Sequence, residues 1–71
     1  MSDQEATYAI TEIVGTSAEG VTQAIQNAIS TASSSLRNLD WFEVVSVRGT
    51  LHDGGVGVYQ VTIKIGFRYE S

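Results

Sequence analysis

Seventy-one residues leave room for one small domain, and a chain of this size buries only about 60% of its unfolded surface, so a lone core is marginal. The absence of cysteine excludes disulfides, thiolate metal sites and thiol chemistry, and a single histidine, His52, argues against a His-rich metal site; self-association is the staple that remains. A net charge of −4 repels phosphate backbones, and no apolar run approaches a membrane span, so the expectation is a soluble, cytoplasmic oligomer without nucleic-acid or membrane partners.

In chain order, residues 1–6 are polar and are expected to form a flexible tail ahead of a single domain over 7–71. From Thr7 to Val14 the residues alternate, with Tyr8, Ile10, Glu12 and Val14 on one side and Ala9, Thr11 and Ile13 on the other. That is a strand period. Gly15 is expected to end the strand. Thr16-Ser17-Ala18-Glu19 then fits a capping box, and the apolar spacing changes to three and four. Val21, Ala24, Ile25, Ala28, Ile29, Ala32, Leu36 and Leu39 form one stripe, which predicts a helix from Ser17 to about Asn38.

Trp41 to Leu51 is aromatic and β-branched, as a second strand should be. His52-Asp53-Gly54-Gly55 is the clearest turn, because Asp-Gly supplies the positive φ that a tight hairpin needs. Val56 to Tyr69 is the third strand. Tyr59, Val61, Ile63, Ile65, Phe67 and Tyr69 share one face, which suits the helix stripe; Gln60, Thr62, Lys64, Gly66 and Arg68 share the other.

The expected fold class is α+β in the order β-α-β-β: a three-stranded antiparallel sheet on one long helix, with the third strand in the middle. The second strand carries large apolar groups on both faces. One helix cannot cover both, so a partner subunit or a ligand must cover the rest.

Several segments together resemble the dodecins, small bacterial and archaeal flavoproteins. They are Ile13-Val14-Gly15-Thr16-Ser17 before the helix, Leu39-Asp40-Trp41-Phe42-Glu43-Val44 at the second strand, Arg48-Gly49 within it, and Tyr59 to Arg68 at the end. The match runs from about Tyr8 to Glu70. It implies a hollow homododecamer that binds flavin, FMN or riboflavin, between subunits, with pairs of rings stacked between symmetry-related tryptophans. Trp41 matches the stacking tryptophan and Gln60 the residue that bonds the pyrimidine edge. Arg48 and Arg68 match contacts to the FMN tail and phosphate, and Asp40 matches a position at the rim of the ring. Some bacterial members also bind coenzyme A, which keeps that ligand open here. The role implied is storage, buffering and photoprotection of flavin, with no catalytic residue and no metal.

The residue types suit that chemistry. Indole is a large, electron-rich platform for a flat, electron-poor ring, and a glutamine amide offers an acceptor and a donor side by side. Arginine forks fit phosphate. Taken alone, each residue has a plainer reading: Trp41 as core, Gln60 as a solvated strand residue, Arg48, Arg68 and Lys64 as ion-pair partners. Strict alternation would also put Trp41 and Arg48 on opposite faces. A bulge between them, contacts to different flavins, or a structural Arg48 are the three ways out. No nucleophile–base pair and no phosphate-binding glycine loop points to an enzyme. The competing reading is a ligand-free, self-assembling structural module.

Overall fold

The computed structural model describes residues 5–69; the tail expected over 1–6 lies, apart from Glu5 and Ala6, outside the described residues. The elements run β1 (Tyr8–Ser17), α1 (Val21–Ser33), β2 (Leu39–His52) and β3 (Gly55–Arg68). The sheet order is β1-β3-β2 and both pairings are antiparallel, so β3 is central as expected.

Three local expectations are corrected. Gly15 does not end β1, which continues to Ser17. Its role is to let α1 approach: a Cβ at Gly15 would collide with the Ala24 carbonyl oxygen and lie 2.7 Å from the Ala28 methyl. The capping box is not formed. Gly20 is the N-cap without a side-chain cap bond, and the Ser17 hydroxyl instead accepts the Glu19 N–H at 2.9 Å within the connection. Because β1 holds residues 16 and 17 extended, the helix begins only at Val21. It also ends early, at Ser33 rather than Asn38. The Ser33 and Ser34 hydroxyls donate to the carbonyls of Ser30 and Thr31, and serines that bond the local backbone favour helix ends. Asn38 then takes a left-handed φ of 63°, turning the chain into β2.

The core is correspondingly small. Ala24, Ala28 and Ala32 from α1 bury against Val61, Ile63 and Ile65 of β3. Leu36 and Leu39 join this cluster, although neither is in the helix. Small alanines bring α1 close to the sheet, and the Asn27 amide fastens it by donating to the Thr16 carbonyl at 2.9 Å.

The helix packs mainly on β1 and β3 and leaves most of β2 beyond Leu39 uncovered. Phe42, Val44 and Val47 pair with Ile65, Ile63 and Val61, so they face the helix side of the sheet, yet each is exposed. The β2–β3 hairpin also runs past the end of β1, whose last partner on β3 is Tyr59. Leu51, close to the turn, is 83% exposed.

Candidate functional site

Three irregularities in the β2 ladder decide where the candidate residues point. Register shifts lie between Leu39 and Trp41, between Val44 and Ser46, and between Gly49 and Leu51. In the first two, one extra residue on β2, Asp40 or Val45, reverses the alternation. The bulge at Asp40 sends Leu39 to the core side, opposite Phe67, and Trp41 to the far side, opposite Gly66. The bulge at Val45 restores Arg48 to Trp41's face, opposite Gln60. The conflict posed by strict alternation is thereby resolved in favour of a bulge. Val47, which strict alternation groups with Trp41, faces the helix side instead.

On the face opposite the helix, cross-strand rows can now be assigned. Tyr8 pairs with Arg68; Ile10, Gly66 and Trp41 form the next row; Glu12, Lys64 and Glu43 the next. Val14, Thr62 and Ser46 follow, and then Thr16, Gln60 and Arg48. Lys64, read from the sequence as an ion-pair partner, thus stands between Glu12 and Glu43 of its own chain.

Trp41 is not a core residue. Its indole lies across Gly66: a Cβ at Gly66 would fall among the atoms of the fused ring, 2.7 Å from Cδ2 and still closer to Cε2 and Cζ2. Gly66 is buried beneath it, while Trp41 remains 41% exposed. Tyr8 flanks the indole, with ring centroids 6.4 Å apart and planes tilted by 48°. The Tyr8 hydroxyl donates to Asp40 Oδ2 at 2.6 Å. Asp40 and Arg68 line a common polar hollow of about 280 Å³ with Asn38 and Leu39.

Trp41, Asp40 and Arg68 therefore gather at one end of the sheet. Gln60 and Arg48 do not join them. They face each other at the other end, six positions along β3 from Gly66, which is about 20 Å at the rise of a strand. Arg48 lines a separate, mainly apolar hollow of about 240 Å³ with Val47, Leu51, Val56 and Tyr59 among its walls. The five candidate residues thus fall into two groups in one chain, with Trp41 and Gln60 of the same copy too far apart for one flat ring to touch both.

A groove of about 530 Å³ between β1 and α1 contains none of the five. Among the described residues no cluster of three acidic, histidine or cysteine side chains could hold a metal, and no helix is long and apolar enough to cross a membrane.

Tyr8 and Gly66 belong to the site but were not singled out by sequence reasoning. Gly66 had a signal: a glycine inside a strand marks close approach of another group. Tyr8 had none, because its contact with Asp40 spans 32 residues.

The Dodecin family model matches residues 7–70. A dodecin from Thermus thermophilus is 52% identical over 64 residues, covering 90% of this chain and 93% of that protein. The structure of dodecin from Streptomyces coelicolor superposes with a TM-score of 0.91 at 54% identity, covering 96% of this chain and 97% of the other. Dodecin from Streptomyces davaonensis gives 0.89 at 59% identity, covering 96% and 100%. With a family match over nearly the whole chain and the same fold in relatives at half or more identity, this chain belongs to the dodecin family.

Proposed function

We propose that this protein binds FMN or riboflavin between subunits of a homododecamer, and that it stores, buffers and photoprotects the flavin in the cytoplasm. Dodecins as a family are oligomeric and bind flavins. The observation that carries the reading is Trp41: one side of its indole rests on Gly66, on the sheet face away from the helix, and the residue keeps 41% of its surface accessible. A tryptophan held in this way is a platform for a second flat ring, and an offset stack contributes about 0.5–1.5 kcal/mol beyond simple burial.

The donor set fits the group. Gln60 supplies the acceptor–donor pair for the pyrimidine edge. Arg48 and Arg68 supply forks for a phosphate, and Asp40 stands beside the ring platform. Bound flavin supplies the chromophore and redox centre; the chain's residues stack it, read its edge and neutralise its tail. The distance of about 20 Å between the two groups of residues along β3 favours a ring shared by different copies, Trp41 from one and Gln60 from another. A ring covered in this way offers no open face to a substrate, so we assign no turnover. Coenzyme A remains a candidate second ligand without a residue assigned to it.

The test is a fluorescence titration of FMN with ligand-free protein, with light scattering on the same sample. Quenching that saturates near one flavin per chain on a large assembly is expected. Trp41→Ala should weaken binding by at least about tenfold while the assembly persists. An intact assembly that leaves FMN fluorescence unchanged would favour the ligand-free structural module instead.

A further inference from the structure

Tyr8 and Trp41 stand on the two edge strands, with β3 between them. Side chains two strands apart do not ordinarily meet. Here they do: Tyr8 stands one row from Trp41, and in Trp41's own row, Ile10–Gly66–Trp41, Gly66 leaves the middle position empty so that the indole lies across it. The Tyr8 hydroxyl then reaches Asp40 at 2.6 Å, the length of a strong bond from a hydroxyl to a carboxylate. Asp40 is the bulged residue of β2, outside the regular ladder pairing. It is also the residue whose bulge decides that Trp41 faces away from the core. A bulge is the locally weakest part of a ladder, and this one is tied by a side chain from the opposite edge of the sheet.

We propose that Tyr8 is a positioning residue for Trp41: its hydroxyl clamps the Asp40 bulge and its ring bounds the indole, so that the stacking plane is set before any ligand arrives. This rests on the flavin-stacking reading for its purpose, though not for its geometry. An indole free to swing about its side-chain torsions would lose part of the binding energy in ordering them, and a pre-set indole does not. The clamp also engages one oxygen of Asp40, which makes that carboxylate first a structural acceptor.

Trp41 is the only tryptophan, so the long-wavelength edge of the near-ultraviolet circular dichroism, beyond the tyrosine bands, reports the indole setting in ligand-free protein. Tyr8→Phe keeps the ring and removes the donor. Asp40→Ala removes the acceptor, and Asp40→Asn keeps one. Tyr8→Phe and Asp40→Ala should each reduce the Trp41 signal and raise the FMN dissociation constant by up to about tenfold. The double variant should be no worse than the poorer single one, and Asp40→Asn, which keeps an acceptor oxygen for Tyr8, should retain more of the ligand-free Trp41 signal than Asp40→Ala. A Trp41 signal and FMN affinity in Tyr8→Phe equal to the parent would overturn the proposal, as would losses that add in the double variant. If Tyr8→Phe does not assemble, the Asp40 pair decides on the ligand-free circular dichroism: loss of the Trp41 signal in the alanine variant with retention in the asparagine variant supports the clamp, and equal signals in the two overturn it. If the parent binds no FMN, the flavin reading fails, and the clamp stands or falls on the circular dichroism alone.

Discussion

Gly66 has no side chain, and the indole of Trp41 occupies the space one would fill. Gly66→Ala should therefore leave the backbone unstrained and expel the indole from its seat. The expected result is a loss of FMN affinity of about tenfold or more, from the roughly 1–3 kcal/mol typical of overpacking. Thermal stability should change far less. An FMN titration beside a melting curve checks both, and an unchanged affinity would show that the seat is irrelevant. Gly15 makes the opposite case. Its missing Cβ is replaced by the backbone and methyl groups of α1, so Gly15→Ala should lift the helix off β1, cost about 1–3 kcal/mol and lower the melting temperature. In the sequence Gly15 read as a strand end and Gly66 as one of a polar row; a glycine within a strand hints at a close approach but does not name the group that approaches. A glycine in a list does not say what takes the place of its side chain.

The strands and the hairpin turn were the most legible elements. Period-two alternation marked β1 and β3, and Asp53-Gly54 marked the turn. Both residues do adopt positive φ, 50° and 81°, the combination of a two-residue type I′ hairpin. Gly54→Val should cost about 1–2 kcal/mol through the left-handed conformation alone, read as a lower unfolding midpoint. The helix was legible in its stripe but not in its ends. A capping box and a long apolar periodicity suggested Ser17–Asn38, whereas the ordered helix is Val21–Ser33. Sheet pairing kept residues 16 and 17 extended, and tertiary packing kept Leu36 and Leu39 on the core without helical geometry. The β2 bulges were the least legible of all. Nothing in Asp40 or Val45 marks either as an extra residue, yet Asp40 decides that Trp41 faces away from Leu39, and Val45 that Arg48 shares Trp41's face.

At the scale of the molecule, this chain is extended for its length. Its Cα radius of gyration is 14.5 Å and its extents are 53 × 20 × 15 Å, against a radius of about 11 Å for a compact chain of 71 residues. Its accessible surface is 5102 Å², where a compact monomer of this mass would expose about 4300 Å². Exposed apolar groups lie in the hairpin arm, on the helix-side face of β2, where Phe42 and Val47 are 47% and 50% exposed, and on the far face at Ile10 and Val14. A surface of this kind is stabilised by burial against other copies. Unfolding should accordingly shift to lower temperature on dilution, because a folded state held by its neighbours depends on protomer concentration. Val47→Asp should split the assembly by placing a charge where burial is needed, with light scattering as the readout. A melting temperature independent of concentration, together with an intact assembly in Val47→Asp, would place the interface elsewhere.

From its sequence alone, this chain's element order, antiparallel sheet, central third strand, tight hairpin turn and dodecin resemblance could be established. These follow from local periodicity, turn chemistry and residue spacing, all of which are written along one dimension. Only the tertiary structure decided which faces Trp41, Arg48 and Val47 occupy, that Gly66 seats the indole, that Tyr8 reaches Asp40, and that Trp41 and Gln60 of one chain stand apart. Each of these depends on a bulge or on a contact between residues distant in sequence. A single extra residue reverses every side chain after it, and no local pattern records where that residue falls.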